Sequence, residues 1–124
     1  MSKYLYKNDF FEIKMKNDFF YLKYSGSMVA ILGTYMKKII IVKQYRGLIE
    51  ENTFEVPAGS SESSETLRQA AQREFHEETG IYIDQQERFE YKYPIILDPN
   101  RFIQKSYVFH IKLKKKRNRY VKQS

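Results

Sequence analysis

The sequence predicts an α+β domain built on a mixed β-sheet, and three observations predict it. Apolar and aromatic residues alternate at period two along Phe11–Met15 and again along Phe20–Tyr24. One stretch, Ser64–Thr79, follows the helical period instead, with Leu67, Ala70, Ala71 and Phe75 on a single stripe. The 124 residues contain no internal repeat and no interdomain linker, so one domain spanning residues 1–124 is expected.

The elements follow in order. Phe11, Ile13 and Met15, then Phe20, Leu22 and Tyr24, predict an antiparallel hairpin within residues 1–25, turning at Asn17-Asp18. Its rings (Tyr4, Tyr6, Phe10, Phe11, Phe19, Phe20, Tyr21 and Tyr24) are read as core or as a subunit interface. Met28–Tyr35 and Lys38–Tyr45, rich in β-branched and aromatic residues, predict a second, more buried pair joined near Met36-Lys37. Thr53–Val56 reads as a short strand ended by Pro57, which has no N–H for a ladder. The helix is stopped by Gly80, in the place favoured for a left-handed cap. Glu90–Leu97 reads as a strand interrupted at Pro94, and Ser106–Leu113 as a strand with Tyr107, Phe109, Ile111 and Leu113 on one face.

Composition narrows the function classes. A hydrophobic content of 42% with 30% charged residues is that of a folded globular chain, not a disordered one. The absence of cysteine excludes disulfides, thiolate metal sites and thiol nucleophiles. No apolar run approaches the roughly 20 residues of a membrane span, and MSKYLYKNDF lacks the apolar centre of a signal peptide. A cytoplasmic protein is expected. The net charge of +7 invites a nucleic-acid reading, but Lys112, Lys114, Lys115, Lys116, Arg117, Arg119 and Lys122 account for all of it. The remaining 15 basic residues balance 15 acidic ones, so the basicity belongs to a tail, residues 112–124, read as a solubilising end and not as a nucleic-acid reader.

The helix carries an anomaly. Glu74, Glu77 and Glu78 lie three and four residues apart on one side, where like charges repel. Moved toward a core they need a compensating cation. Arg73 is the only base close by in sequence, and it sits roughly 100° round the helix from Glu74. Two readings stand on spacing alone: a solvated acidic helix end, or hard oxygen ligands for Mg²⁺ or Mn²⁺.

The surroundings of these carboxylates have a fixed pattern. Gly59, Glu65, Arg73, Glu74, Phe75, Glu77, Glu78, Gly80 and Ile81 occur at the spacing glycine, five residues, glutamate, seven residues, arginine-glutamate-apolar-any-glutamate-glutamate-any-glycine-apolar. Residues 59–81 thereby resemble the signature of Nudix hydrolases. IIIVKQYR and FEVPAG upstream are similar to the ADP-ribose and ADP-sugar pyrophosphatase branch. Phe75 departs mildly, since the family more often has an aliphatic residue there.

The resemblance implies an α/β/α sandwich and metal-dependent hydrolysis of a nucleoside diphosphate derivative, ADP-ribose or an ADP-sugar first. It implies that Glu74, Glu77, Glu78 and the Ala58 carbonyl hold Mg²⁺ or Mn²⁺, and that Arg73 and Glu65 pair to hold the helix against the loop. It also implies that Arg46 contacts substrate and that Glu55 and Gly59 line the same pocket. The chain departs from the family after Asp98, its last acidic residue, and KKKRNRYVKQS lacks the apolar stripe of a covering helix, so that helix is expected to be short or missing. The general base then falls to Glu77 or to Asp98, or the chain is a shortened form of weak activity. The rival reading is a non-catalytic module of the same fold that binds nucleotide, RNA or a partner protein. The aromatic N-terminus and the missing helix favour a homodimer.

Overall fold

Asn17 and Asp18 both hold positive φ, 50° and 67°, the backbone of a tight two-residue hairpin turn. In the computed structural model, which describes residues 2–84 and 87–114, they join strand β2 (Phe11–Lys16) to β3 (Phe19–Tyr24), with Met15 opposite Phe20. A further strand, β1 (Ser2–Lys7), lies along β2 and completes a three-stranded antiparallel sheet. Sequence reasoning missed β1 because Leu5, between Tyr4 and Tyr6, spoils the alternation. The rings of this sheet are not core. Tyr4, Tyr6, Phe10, Phe19 and Phe20 are each more than half exposed.

The second sheet carries the core. Strand β4 (Met28–Tyr35) lies at its centre, parallel to β10 (Ser106–Lys112), which pairs antiparallel with β9 (Arg88–Ile95). The other edge of β4 is shared. β5 (Lys38–Ile39) takes Thr34 and Tyr35, while β8 (Ala58–Ser60) takes Met28–Ala30. That sharing corrects the long strand expected over Lys38–Tyr45. A β5 of that length would meet β8, so the chain turns away at Ile41, and β6 (Val42–Arg46) pairs with β7 (Glu51–Glu55) in a separate ribbon. The predicted joint at Met36-Lys37 is present, with φ of 49° and 64°. The interruption expected at Pro94 is absent, because β9 is an edge strand and Pro94 faces Tyr107 within it.

Helix α1 (Leu67–Thr79) is three residues shorter at its start than predicted. Thr66 is the N-cap, accepting from the Gln69 amide at 3.1 Å, while the Gln69 side chain accepts from the Thr66 amide at 2.9 Å. This reciprocal capping box begins the helix. Gly80, at φ 75°, ends it in the predicted left-handed cap. Ala70, Ala71 and Phe75 are buried on Val29, Ile31, Phe109 and Ile111. Burying Phe75 alone contributes roughly 1.5–3 kcal/mol. Gly33 explains how this ring fits where the Nudix pattern favours an aliphatic residue. A Cβ on Gly33 would come within 3.0 Å of the Phe75 ring, so the missing side chain makes room for the extra carbons.

Among the described residues α1 is the single helix, and no helix is long and apolar enough to cross a membrane. The predicted tail lies outside the described residues beyond Lys114.

Candidate active site

The helix end bearing the carboxylates meets strand β8. Gly59 runs against Glu74 so closely that a Cβ built there would overlap the carboxylate. Backbone and side chain share a space that only glycine leaves open.

Arg73 fastens this contact. Its guanidinium grips Glu65 with two hydrogen bonds, Nε to Oε2 at 2.7 Å and Nη2 to Oε1 at 3.0 Å. Nη2 also donates to the Ser60 carbonyl at 2.9 Å. One fork thus ties the helix to both ends of the loop that precedes it. Arg73 beside it, with the Glu62 amide, holds the Glu65 carboxyl down at about 2. This is the pair the sequence motif suggests, and the structure brings its two members together.

The three box glutamates do not converge as predicted. Arg73 reaches Glu74 at 2.9 Å and Glu77 at 3.3 Å, so one cation serves both. Glu78 turns the other way, accepting from the Ala58 amide and from Gln44 Nε2, each at 3.3 Å. Among the described residues, no group of three or more acidic or histidine side chains is assembled around a common point. The reason is local: Arg73 is within reach of both Glu74 and Glu77, while Glu78 lies against Gln44 and the Ala58 amide.

The electrostatics nonetheless call for more positive charge. Burial pushes the Glu74 carboxyl up against the opposing pull of Arg73. Burial pushes Glu78 up to about 7, with the negative charges of Glu74 and Glu55 adding to it and the Ala58 amide opposing. Glu74 and Glu78, two part-buried carboxylates one turn apart and both raised by burial, supply oxygen donors of the hard kind that divalent cations take.

On the facing ribbon, Arg46 of β6 and Glu55 of β7 are bound to each other. Arg46 Nε donates to Glu55 Oε2 at 2.7 Å, and Nη2 donates to the other oxygen. The Arg46 guanidinium holds the Glu55 carboxyl below its usual range, and Thr53 Oγ1, donating to the same carboxylate, reinforces this. Gln44, Thr53 and Ser60 are members of the site that sequence reasoning did not single out. The first two had a signal, since Gln44 precedes Arg46 by two residues and Thr53 precedes Glu55 by two. Alternate residues on a strand share a face.

A cavity of about 400 Å³ opens on the other side of β8. Ser60 and Met28 contribute to its wall, together with Asp98 and Phe102 from the loop between β9 and β10. Asp98, predicted as one source of a general base, lies in this wall and pairs with Arg101 at 3.6 Å.

A helix with glutamates at one end, a strand glycine pressed against them and an arginine lock between the two define a Nudix architecture. The NUDIX domain model matches residues 25–120, and the chain belongs to the Nudix family. It is 39% identical over 66 residues to the methanol dehydrogenase activator of Bacillus methanolicus, a match covering 53% of this chain and 36% of that protein. It is 41% identical over 59 residues to the ADP-ribose pyrophosphatase of Bacillus subtilis, covering 48% of this chain and 32% of that protein. The matches thus span about a third of the length of these relatives. In fold, all of the chain aligns with 68% of an ADP compounds hydrolase crystal structure, at a TM-score of 0.65 and 15% identity.

Proposed function

We propose that this protein hydrolyses the pyrophosphate bond of a nucleoside diphosphate derivative, with ADP-ribose or an ADP-sugar as first substrate, using Mg²⁺ or Mn²⁺. The observation that carries the reading is Glu78. It is a part-buried carboxylate with only neutral donors on it, pushed up to about 7 beside Glu74. Such a group is costly in an apo protein and becomes useful where a divalent cation binds. Similarity to an ADP-ribose pyrophosphatase supports the substrate class.

Glu74, Glu77, Glu78 and the Ala58 carbonyl are the groups to hold the cation, which when bound supplies charge neutralisation and a more acidic water. Arg73, anchored on Glu65 and the Ser60 carbonyl, keeps Gly59 pressed against the helix, so the carboxylates stay aimed at the cleft. Arg46 offers a planar fork that fits two phosphate oxygens. Glu55 occupies that fork and must yield it to substrate. Glu77 is the most open of the three box carboxylates, its side chain 45% exposed, and it takes the proton of the attacking water. The exposed rings of the β1–β3 sheet support a homodimer, to be checked by analytical ultracentrifugation.

The test is phosphate release from ADP-ribose, ADP-sugars and nucleoside triphosphates, with Mg²⁺, with Mn²⁺ and with chelator. Metal-dependent turnover of a diphosphate-linked substrate is expected. A folded protein that turns over none of them with either metal overturns the proposal.

A further inference from the structure

We infer that Gln44 is a positioning residue for the metal site: its side-chain amide holds the Glu78 carboxylate in the orientation in which that group takes a divalent cation. The inference rests on the function proposed above and adds to it a residue that acts through Glu78, not on substrate or cation itself.

Three observations carry it. First, Gln44 Nε2 and the Ala58 amide both donate to the same oxygen of Glu78, Oε2, each at 3.3 Å. Oε1 carries neither donor, so the carboxylate is steadied through one oxygen and has the other to offer. A glutamate side chain is rich in rotamers, and ordering it costs free energy. One that is already held gives up less freedom when a cation binds. Second, both donors are neutral. Arg73 is bonded to Glu74 at 2.9 Å and to Glu77 at 3.3 Å, so a cation approaching those two must displace a guanidinium. At Glu78 it meets amides, which orient a carboxylate without neutralising it. A lysine or arginine at position 44 would instead compete with the cation for the same oxygens.

Third, the strand gives Gln44 a fixed base. Val42, Gln44 and Arg46 alternate along one face of β6, buried at the first, half-buried at the second and exposed at the third. Thr53 of β7 stands directly opposite Gln44, and Glu55 opposite Val42. The buried foot of the ribbon at Val42 thus sets where the Gln44 amide reaches α1. Two residues further on, the same face presents Arg46. The bond from Gln44 to Glu78 therefore ties the strand that carries the phosphate-binding arginine to the helix that carries the carboxylates. Lys43, between Val42 and Gln44, is exposed on the other face of the strand.

Two measurements test this, one of which needs no turnover. Binding of Mn²⁺ to the whole protein is read from the electron paramagnetic resonance signal of the free ion, for the wild type and for Gln44→Met, Gln44→Ala and Lys43→Met. Gln44→Met keeps the length of the side chain and loses the donor, and Gln44→Ala removes both. Each is expected to weaken Mn²⁺ roughly tenfold or more, the usual effect of removing a group that orients a metal ligand. Lys43→Met, on the other face of the strand, is expected to bind as the wild type does. In turnover, the Gln44 variants should need roughly tenfold more Mg²⁺ for half-maximal rate. Their KM for the diphosphate substrate at saturating Mg²⁺ should stay nearly constant, because the Arg46 fork is intact. Folded Gln44 variants that bind Mn²⁺ as tightly as the wild type overturn the assignment. So does a Lys43→Met variant that loses as much affinity, since the effect then belongs to the ribbon and not to the amide. A wild type that binds no Mn²⁺ overturns the metal site and the role of Gln44 with it. Absence of turnover, by contrast, counts against the hydrolase reading, while a loss of Mn²⁺ affinity confined to the Gln44 variants still upholds the positioning role.

Discussion

Gly59 and Glu74 occupy adjoining space with no room for a methyl group between them. The clash falls on the far end of a flexible side chain, so substitution moves the carboxylate and leaves the core alone. Gly59→Ala is expected to cost about 1–3 kcal/mol in stability, and to lower kcat by one to two orders of magnitude. A thermal melt beside steady-state kinetics separates the two effects. A near-normal kcat would show that the position of Glu74 does not matter to the reaction.

Glu78 gives a pH prediction with a definite sign. Its carboxyl is raised from the ordinary 4.5 to about 7 in the folded, metal-free protein. Between those values the folded state holds a proton that the unfolded state has released. Its contribution to stability is therefore present below about 4.5 and is lost as pH rises through about 7. Glu78→Gln should flatten this slope in chelator and lower kcat by orders of magnitude. Mg²⁺ should flatten the slope in the wild type. Urea titrations at pH 5 and pH 8 check it, and a wild-type slope unchanged by the substitution would remove Glu78 as its source.

Glu65 keeps Arg73 occupied at 2.7 and 3.0 Å. Glu65→Gln weakens that grip and releases the guanidinium toward Glu74 and Glu77, where it competes with a cation. The Mg²⁺ concentration for half-maximal activity is expected to rise several-fold, with a smaller fall in kcat at saturating Mg²⁺. A metal titration reads this directly.

Arg46 and Glu55 predict non-additive behaviour. Arg46→Ala removes a phosphate contact and also leaves the Glu55 charge unpaired, in a site that must accept a diphosphate. The single change should raise KM by roughly tenfold or more, in line with a lost charge-assisted contact. The double change Arg46→Ala/Glu55→Ala should recover part of that loss. A double variant as impaired as the sum of its singles would separate the pair energetically.

The helix and its glutamates were legible in the sequence because periodicity and spacing are local properties, and Leu67–Thr79 satisfies both within one element. The two-residue turns at Asn17-Asp18 and Met36-Lys37 were legible for the same reason. The path of β6 was not. Its departure from the sheet depends on β8 claiming one edge of β4, a competition between segments far apart in the chain. The division of the box carboxylates was equally hidden. Helical geometry places Glu74, Glu77 and Glu78 on one side, but whether they meet is decided by Arg73, Gln44 and the Ala58 amide. Phe75 looked like a departure from pattern and is explained by Gly33, on a strand that nothing local connects to it.

The parallel pairing of β4 with β10 also closes a long stretch of chain. Thr34 and His110, hydrogen-bonded at 2.9 Å across these strands, are 76 residues apart in sequence. The chain between them, including the whole of α1 and its carboxylates, is enclosed in the loop that this pairing closes. Closing a loop of that length costs roughly 4 kcal/mol in chain entropy, offset by the β4–β10 ladder and by the packing of α1 on it. A chain stopped short of β10 holds every residue of the motif but lacks Phe109 and Ile111, part of the surface on which α1 packs.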